Sequence, residues 1–251
     1  MKPILLLVAA ALLVAGCGGG DDEATSTQTT PASHTVPVRV YFLRDGKVWP
    51  TAREVEGPGV PIVTAALEEL FLGPTAAEKS DLGFSTAIPD GIALDRLEIE
   101  GGVAKLYVTD ELTDASLAQT VYTLTQSSTV EAVETQGGTY TRADVEHLTP
   151  AILVESPLSF EEVSSSLRVT GTANTFEATF NYELTDTDGR IVDENFVTAT
   201  SGTGTRGTFD FTTAPFTVPF DGIGSLIVFE LSAKDGSRIN IVEIPLRMAK
   251  E

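Results

Sequence analysis

The sequence is poor in the residues that most often build thiol and metal sites. It holds one cysteine, Cys17, so no disulfide can form within the chain. Its two histidines, His34 and His147, lie far apart in the sequence, and nothing assigns either to a serine or a metal site. Hydrolysis needs a nucleophile with a positioned base, or metal ligands with an open position, and neither is recognisable. We therefore predict no catalytic residue, no metal site and no cofactor.

Basic residues are also scarce, and the apolar segment near the amino terminus is short. The chain has 16 Lys and Arg against 36 Asp and Glu, a formal net charge of -20. Repulsion from phosphate argues against nucleic acid and anionic lipid headgroups as partners. The apolar segment Ile4–Gly16 has 13 residues, fewer than the ~20 that a membrane-spanning helix needs. The sequence therefore predicts no spanning anchor.

The end of this apolar segment is the most informative part of the sequence. The segment is preceded by Lys2 and closes with Leu13-Val14-Ala15-Gly16-Cys17. This arrangement resembles the lipobox of bacterial lipoproteins. The resemblance implies that residues 1–16 are a signal peptide, that the Cys17 thiol carries a diacylglycerol after cleavage, and that the new amino terminus is acylated. The alternative is an ordinary secretory signal with a chance cysteine.

A lipid anchor at Cys17 predicts where the protein works. Two or more acyl chains hold a protein stably on a membrane. We therefore expect an exported protein that is lipid-anchored to the cell membrane on its extracytoplasmic side. With Cys17 acylated, no thiol remains for a zinc site or a nucleophile.

Residues 17–36 are predicted to form a disordered tether. They are rich in Gly, acids, Ser and Thr, include one Pro, and have no apolar period. A flexible segment of this length reaches roughly 25 Å. Its acids, Asp21–Glu23, are expected to be a solvated spacer, because a mobile chain gives a cation no rigid geometry. We interpret the acidity of the whole chain as a source of solubility outside the cell, with a cation-binding surface as the alternative.

Residues 37–146 mix strand and helix patterns. Val38–Leu43 alternates, and Asp45-Gly46 supplies a hairpin turn into a second strand at Lys47-Val48-Trp49. The later patterns predict, in order, a helix from Pro61 to Gly73, a capping box at Thr75 and Glu78, strands at Ile92–Glu100 and Val103–Thr109, a helix at Ala115–Thr125 and a strand at Val130–Thr135.

Five short motifs in this region occur in the order that they have in a known domain family. They are Val40-Tyr41-Phe42, Ala65-Ala66-Leu67-Glu68-Glu69-Leu70, Leu72-Gly73-Pro74-Thr75, Gly83-Phe84-Ser85-Thr86-Ala87-Ile88-Pro89 and Gln119-Thr120-Val121-Tyr122-Thr123-Leu124-Thr125-Gln126. The region resembles the GerMN domain of sporulation and spore-germination lipoproteins. That resemblance implies an α+β scaffold, similar to the ring-building modules of envelope complexes, which works through protein contacts. This chain has one such domain, where the spore germination protein of the family has two.

Residues 147–251 carry strand patterns alone, which predicts a second domain. Seven segments have the spacing of a β-sandwich: Ile152–Glu155, Ser166–Thr172, Phe176–Leu184, Arg190–Thr198, Thr208–Thr212, Ser225–Ala233 and Arg238–Leu246. The motifs Glu155-Ser156-Pro157, Val169–Ala173 and Glu177–Leu184 resemble the immunoglobulin-like domain found beside GerMN in spore-germination proteins. We therefore expect an α+β GerMN-like domain followed by an all-β immunoglobulin-like sandwich.

Four groups of residues suggest a site but are explained more simply. Gly202–Gly207 has dinucleotide-binding spacing, yet a strand follows it, so we predict a mobile loop. Asp186–Gly189 begins like a calcium loop but lacks the later ligands, so we predict a hairpin turn. Asp110, Glu111 and Asp114 suit the start of a helix better than a metal. We also expect Tyr41 and Trp49 to be buried under the first helix rather than to form a ligand-facing patch.

The function that these observations favour is a non-catalytic envelope lipoprotein acting as a protein-interaction or assembly module. Its expected partners are the cell membrane, through the lipid, and envelope proteins, with peptidoglycan as a further candidate. One alternative is a peptidoglycan-binding accessory or cell-wall remodelling enzyme, in which a pair of the many carboxylates would act as acid and base. Another is a solute-capturing lipoprotein. A monomer and a ring both remain open.

Overall fold

The structure is a computed structural model that describes residues 34–57 and 61–250. The described residues belong to one compact unit. The first half has strands β1 (His34–Arg44), β2 (Lys47–Gly57), β3 (Leu94–Glu100), β4 (Val103–Val108), β5 (Ala132–Thr135) and β6 (Gly138–Tyr140), with helices α1 (Ile62–Leu72), α2 (Ala76–Asp81) and α3 (Asp114–Leu124). The second half has β7 (Ile152–Ser156), β8 (Glu162–Val163), β9 (Arg168–Ala173), β10 (Thr179–Thr185), β11 (Ile191–Thr198), β12 (Gly207–Thr212), β13 (Gly222–Leu231) and β14 (Arg238–Met248). Among the helices in these ranges, none combines the length and the apolarity of a membrane span.

The first two strands form the predicted hairpin, although β1 begins at His34, inside the residues that were predicted to be a disordered tether. Asp45 and Gly46 have φ angles of 52° and 72°, the left-handed geometry that a tight two-residue turn requires. The pairing places Tyr41 opposite Pro50 and Phe42 opposite Trp49. Tyr41 is fully buried and Trp49 nearly so, which confirms that neither belongs to an exposed aromatic patch.

Helices α1 and α2 begin and end where local sequence chemistry predicts. Helix α1 ends at Leu72, and the next residue, Gly73, has a φ of 76° and donates its N–H to the Leu70 carbonyl. Helix α2 has a complete capping box. The Thr75 hydroxyl accepts a hydrogen bond from the Glu78 backbone N–H, and the Glu78 carboxylate accepts one from the Thr75 backbone N–H.

Glu78 also joins this helix to the hairpin, because its carboxylate binds the Arg53 guanidinium and accepts a hydrogen bond from the Thr51 hydroxyl. Burial raises the pKa of Glu78, but the hydrogen bonds from Arg53 and Thr75 outweigh burial and hold this pKa below its ordinary value.

We expect Glu78→Gln to lower the free energy of unfolding by about 1–2 kcal/mol at pH 7, because the cap weakens and Arg53 loses one of its two carboxylate partners, keeping only Glu69. The folded pKa of Glu78 lies below the unfolded pKa, about 4.3, so the stabilisation is complete above pH ~4.3 and disappears as the pH falls through the folded pKa. Urea unfolding of both proteins between pH 7 and pH 3 measures this. A difference that stays constant over that range would contradict the assignment.

Helix α3 is held on the first strand by a buried glutamine. Gln119 is fully buried; its side-chain N–H donates to the Tyr41 carbonyl at 3.1 Å, and its oxygen accepts from the Ala87 backbone N–H at 2.8 Å. The α+β region also contains a four-stranded sheet of the order β3-β4-β5-β6. Strands β4 and β5 are parallel, and the other neighbouring strands are antiparallel. The last strand, β6, is an addition to the predicted set.

The second half is a sandwich of two sheets. One sheet has the order β11-β10-β13-β14-β8 and the other β12-β9-β7. Aromatic rings join them: Phe180 lies edge-on to Phe209 at a centroid distance of 4.9 Å, and Tyr182 stacks on Phe211 at 4.6 Å. The fold class is therefore confirmed as an α+β region followed by an immunoglobulin-like β-sandwich.

All seven predicted strands of the sandwich are present, with two differences. The short strand β8 was not predicted. The expected strand start at Phe176 is wrong: Phe176–Ala178 is a 3-10 turn in which Glu177 and Ala178 have φ angles of 53° and 59°, incompatible with an extended chain. The predicted boundary between residues 146 and 147 falls inside another 3-10 turn, Glu146–Leu148, and stays a prediction.

Candidate functional site

The most elaborate cluster of side chains lies where the α+β region meets the sandwich; we call it the joint, made of Tyr41, Tyr122, Arg142 and Glu155. Strand β1 and helix α3 supply the two tyrosines, whose ring centroids are 5.3 Å apart. Arg142 follows β6, and Glu155 lies on β7, the first strand of the sandwich. The joint therefore connects both halves of the described chain.

Hydrogen bonds and ring stacking hold the joint together. One carboxylate oxygen of Glu155 accepts from both the Tyr41 hydroxyl and the Arg142 guanidinium, the latter at 2.9 Å. Arg142 also donates to the Thr125 hydroxyl at 2.8 Å and lies over the Tyr122 ring, 4.6 Å from its centroid. In this position the Arg142 guanidinium forms a charged hydrogen bond with the carboxylate and a cation–π contact with the aromatic ring.

The surroundings of Tyr41 and Arg142 in the joint raise the pKa values of both side chains. Burial raises the pKa of the Tyr41 hydroxyl, and the neighbouring Glu155 carboxylate raises it further. Burial lowers the pKa of Arg142, but Tyr41 and Glu155 outweigh burial and raise that pKa above its ordinary value. Both groups therefore stay protonated donors across the physiological range, which suits a structural connection and not proton transfer.

Further hydrogen bonds around the joint hold the segment that connects the two halves. The Tyr122 and Thr149 hydroxyls are hydrogen-bonded at 2.8 Å in a buried position. Lys47 on the hairpin reaches the His147 carbonyl at 2.5 Å, and Arg206 in the sandwich reaches the Pro150 carbonyl at 2.8 Å. These contacts fix the connecting segment 146–150 from both sides.

A groove of about 590 Å³ opens beside Arg142 and Glu155, on the face of the β12-β9-β7 sheet. Its polar lining is dominated by threonines from β9, β11, β12 and the loop after β11, namely Thr170, Thr172, Thr198, Thr200 and Thr208. The groove carboxylates are engaged elsewhere: Asp210 pairs with Arg168 at 2.5 Å, and Glu155 belongs to the joint. The groove offers hydrogen bonds to a polar ligand, and neither carboxylate is bonded to a threonine hydroxyl as a base would be.

Among the described residues, those that the sequence suggested as sites do not gather in one place. Cys17 lies outside the described residues, so its lipidation stays a prediction. The Thr113 hydroxyl caps helix α3, Asp114 occupies the first turn, and Asp114 contacts the exposed His147 ring at 2.6 Å. Within residues 34–57 and 61–250, no three His, Cys, Asp or Glu side chains gather to hold a metal ion.

The two loop motifs behave as turns and loops. The Asp186 carboxylate accepts from the Asp188 and Arg190 backbone N–H groups, both at 2.9 Å, so it closes the predicted hairpin turn. Gly202–Gly207 precedes a strand, as predicted. The structure anchors this loop where mobility was expected, because Thr203 N–H and Gly204 N–H bind Thr175 and Asn174.

Sequence reasoning did not assign a role to Arg142 or Glu155. One signal was present: Glu155 directly follows the apolar run Ile152–Val154, and a charge at the end of a buried strand needs a partner. Nothing in the sequence pointed to Arg142 as that partner, because the segment around it has no apolar period.

Two family models match the chain, one on each half. Residues 39–136 match the family described as "Sporulation and spore germination". Residues 151–237 match the family described as "Immunoglobulin-like domain of bacterial spore germination". No curated protein matches the chain.

Two solved structures illustrate how far the likeness extends. The tandem GerMN domains of the sporulation protein GerM from Bacillus subtilis are 21% identical with a TM-score of 0.34, and the match covers 45% of this chain and 42% of that one. WR4, a C. elegans MSP family member, is 13% identical with a TM-score of 0.23, and the match covers 40% of this chain and 98% of that one. The chain thus corresponds to less than half of the length of the GerM structure. On the two family matches, the chain combines a sporulation and spore germination domain with an immunoglobulin-like domain of bacterial spore germination.

Proposed function

We propose that the chain is a non-catalytic lipoprotein of the cell envelope, anchored through Cys17, that acts as a protein-interaction or assembly module in sporulation or spore germination. Its two domains support the association with sporulation and germination. The observation that carries the proposal of an assembly role is the joint: Glu155 of the sandwich binds Tyr41 and Arg142 of the α+β region.

The joint supports an assembly role because its hydrogen bonds hold the two halves in one relative position. Two binding surfaces held in one geometry act on a partner together, and the second contact then forms at a high effective concentration. The raised pKa values of Tyr41 and Arg142 keep this connection intact over the physiological pH range. The proposed lipid on Cys17 would confine such a module to the membrane surface.

The threonine-lined groove beside the joint favours a second candidate, peptidoglycan binding. Its threonine hydroxyls are groups that hydrogen-bond sugars and short peptides. In this candidate the chain would be an accessory that binds the wall, and the groove carboxylates would have no part in cleavage.

The proposal is tested with the full chain purified in detergent and incubated with purified peptidoglycan, with and without added Mg²⁺ or Zn²⁺. We expect no release of soluble muropeptides, measured by chromatography, in either condition. A release that Asp210→Asn abolishes while the circular dichroism spectrum is unchanged would overturn the non-catalytic assignment. Sedimentation of the chain with intact sacculi, compared with Thr170→Val/Thr208→Val, tests the second candidate separately.

A further inference from the structure

The outer face of the five-stranded sheet of the sandwich carries exposed apolar side chains. Phe196 on β11 is 66% exposed, and Ile241 on β14 is 57% exposed. Both lie on the side of the sheet away from the core, because Phe180 and Tyr182 on β10 fill the space towards the other sheet. Large exposed apolar side chains on one face are a feature of interaction surfaces.

The strand register arranges this face into two neighbouring rows. The first row runs across the strands as Phe196, Asn181 and Phe229, in which Phe196 is exposed and Phe229 is buried beneath Arg238. The second row runs across the strands as Glu194, Glu183, Ile227 and Glu243. We call this surface, made of Phe196, Phe229, Ile241 and the three glutamates, the outer face.

Arg238 shows what chemistry the outer face binds. Its guanidinium makes two hydrogen bonds to the Glu183 carboxylate, at 2.9 Å and 2.5 Å, and lies 4.1 Å from the centroid of the Phe229 ring. A carboxylate beside an aromatic ring is therefore already used as a cation site. Within the described residues, Glu194 and Glu243 form no salt bridge with Lys or Arg. Glu243 accepts a hydrogen bond from the Ser225 hydroxyl at 2.8 Å, and Glu194 lies near Arg238 without a salt bridge to it, so both carboxylates can still bind a cation from outside.

The charge of the outer face limits what can cover it. Glu183 is neutralised by Arg238, but a second copy placed face to face would bring Glu194 and Glu243 near further carboxylates, which costs free energy. An anionic lipid surface would be repelled for the same reason. The chain's own segment 17–36 contains no Lys or Arg in its sequence, so it offers no cation to these glutamates.

We propose that the outer face docks a partner protein through a patch of apolar side chains ringed by Lys or Arg. This inference rests on the proposed function as an interaction module and names the surface that would perform it. Phe196 and Ile241 supply the apolar contact, and Glu194 and Glu243 supply the charge complementarity that selects and orients the partner.

The test places the photoreactive residue p-benzoylphenylalanine at position 196 of the full chain in its native cells. The matched control has it at position 72, because Leu72 at the end of α1 is also highly exposed and lies in the other domain. We expect a discrete protein adduct from position 196, with the cross-linked peptide next to Lys or Arg, and at most background from position 72. Combining the probe with Glu194→Gln/Glu243→Gln, which preserves side-chain shape, should lower the adduct yield about tenfold.

Each other outcome overturns the inference. These outcomes are an adduct of twice the chain mass, an adduct to glycan or lipid, a yield insensitive to the glutamine variant, and a yield at position 196 no higher than at position 72. Protein adducts at position 72 alone would refute the outer face while leaving the proposed function standing. Muropeptide release by the purified chain would refute the proposed function whichever position forms adducts.

Discussion

Replacing Arg142 with methionine is expected to lower the free energy of unfolding by about 3 kcal/mol, because it leaves the Glu155 carboxylate in the joint without a cation. Methionine keeps an apolar chain against the Tyr122 ring, so the loss reports mainly the charge and its hydrogen bonds. Urea unfolding followed by circular dichroism measures the change. The matched control is Lys105→Met, which breaks the exposed pair with Glu100 and should have a much smaller effect.

The joint also predicts coupling between two residues that do not share an element. Tyr41 and Arg142 bind the same oxygen of Glu155, so the effects of Tyr41→Phe and Arg142→Met should not add in the double variant. An interaction energy of about 1 kcal/mol is expected from this shared partner. Additive effects, or an Arg142→Met protein as stable as the Lys105→Met control, would show that the joint does not hold the halves together.

Replacing Cys17 with serine is expected to abolish lipid attachment completely, because a hydroxyl cannot form the thioether that carries the diacylglycerol. Fatty-acid labelling of growing cells followed by membrane fractionation measures it. The variant should be unlabelled and recovered as a soluble or uncleaved product, since acyl chains are what would hold the mature chain on the membrane. Ser26→Ala, in the same predicted tether, is the matched control and should label like the wild type. Equal labelling of the Cys17 variant and the wild type would remove the lipoprotein assignment.

Turns and helix starts that are determined by residues close together in the sequence were predictable from the sequence. The β1–β2 turn follows from Asp45-Gly46, and the start of α2 follows from Thr75 and Glu78, because turn geometry and capping use groups only a few residues apart. The alternating runs of the sandwich likewise marked all seven predicted strands. Sequence reasoning missed β6 and β8, which have three and two residues and carry almost no period.

The contacts that carry the functional argument were not predictable in this way. Tyr41 and Glu155 are 114 residues apart, and their hydrogen bond depends on how β1 and β7 are brought together. The outer face likewise depends on the register that sets Glu194 against Glu183 and Phe196 against Asn181. A shift of one residue would turn these side chains to the other face, and no local pattern excludes that shift by itself.

The amino-acid sequence alone establishes the acidic charge, the motif resembling a lipobox on which the Cys17 prediction rests, and the two regions with their resemblance to spore-germination domains. These are properties of consecutive residues, and they hold whatever the chain folds against. The joint and the outer face exist only in the folded chain, because burial, hydrogen bonding and strand pairing between distant segments create them. Among the described residues, packing decided which carboxylates pair with a cation, as Glu155 does with Arg142 and Glu183 with Arg238.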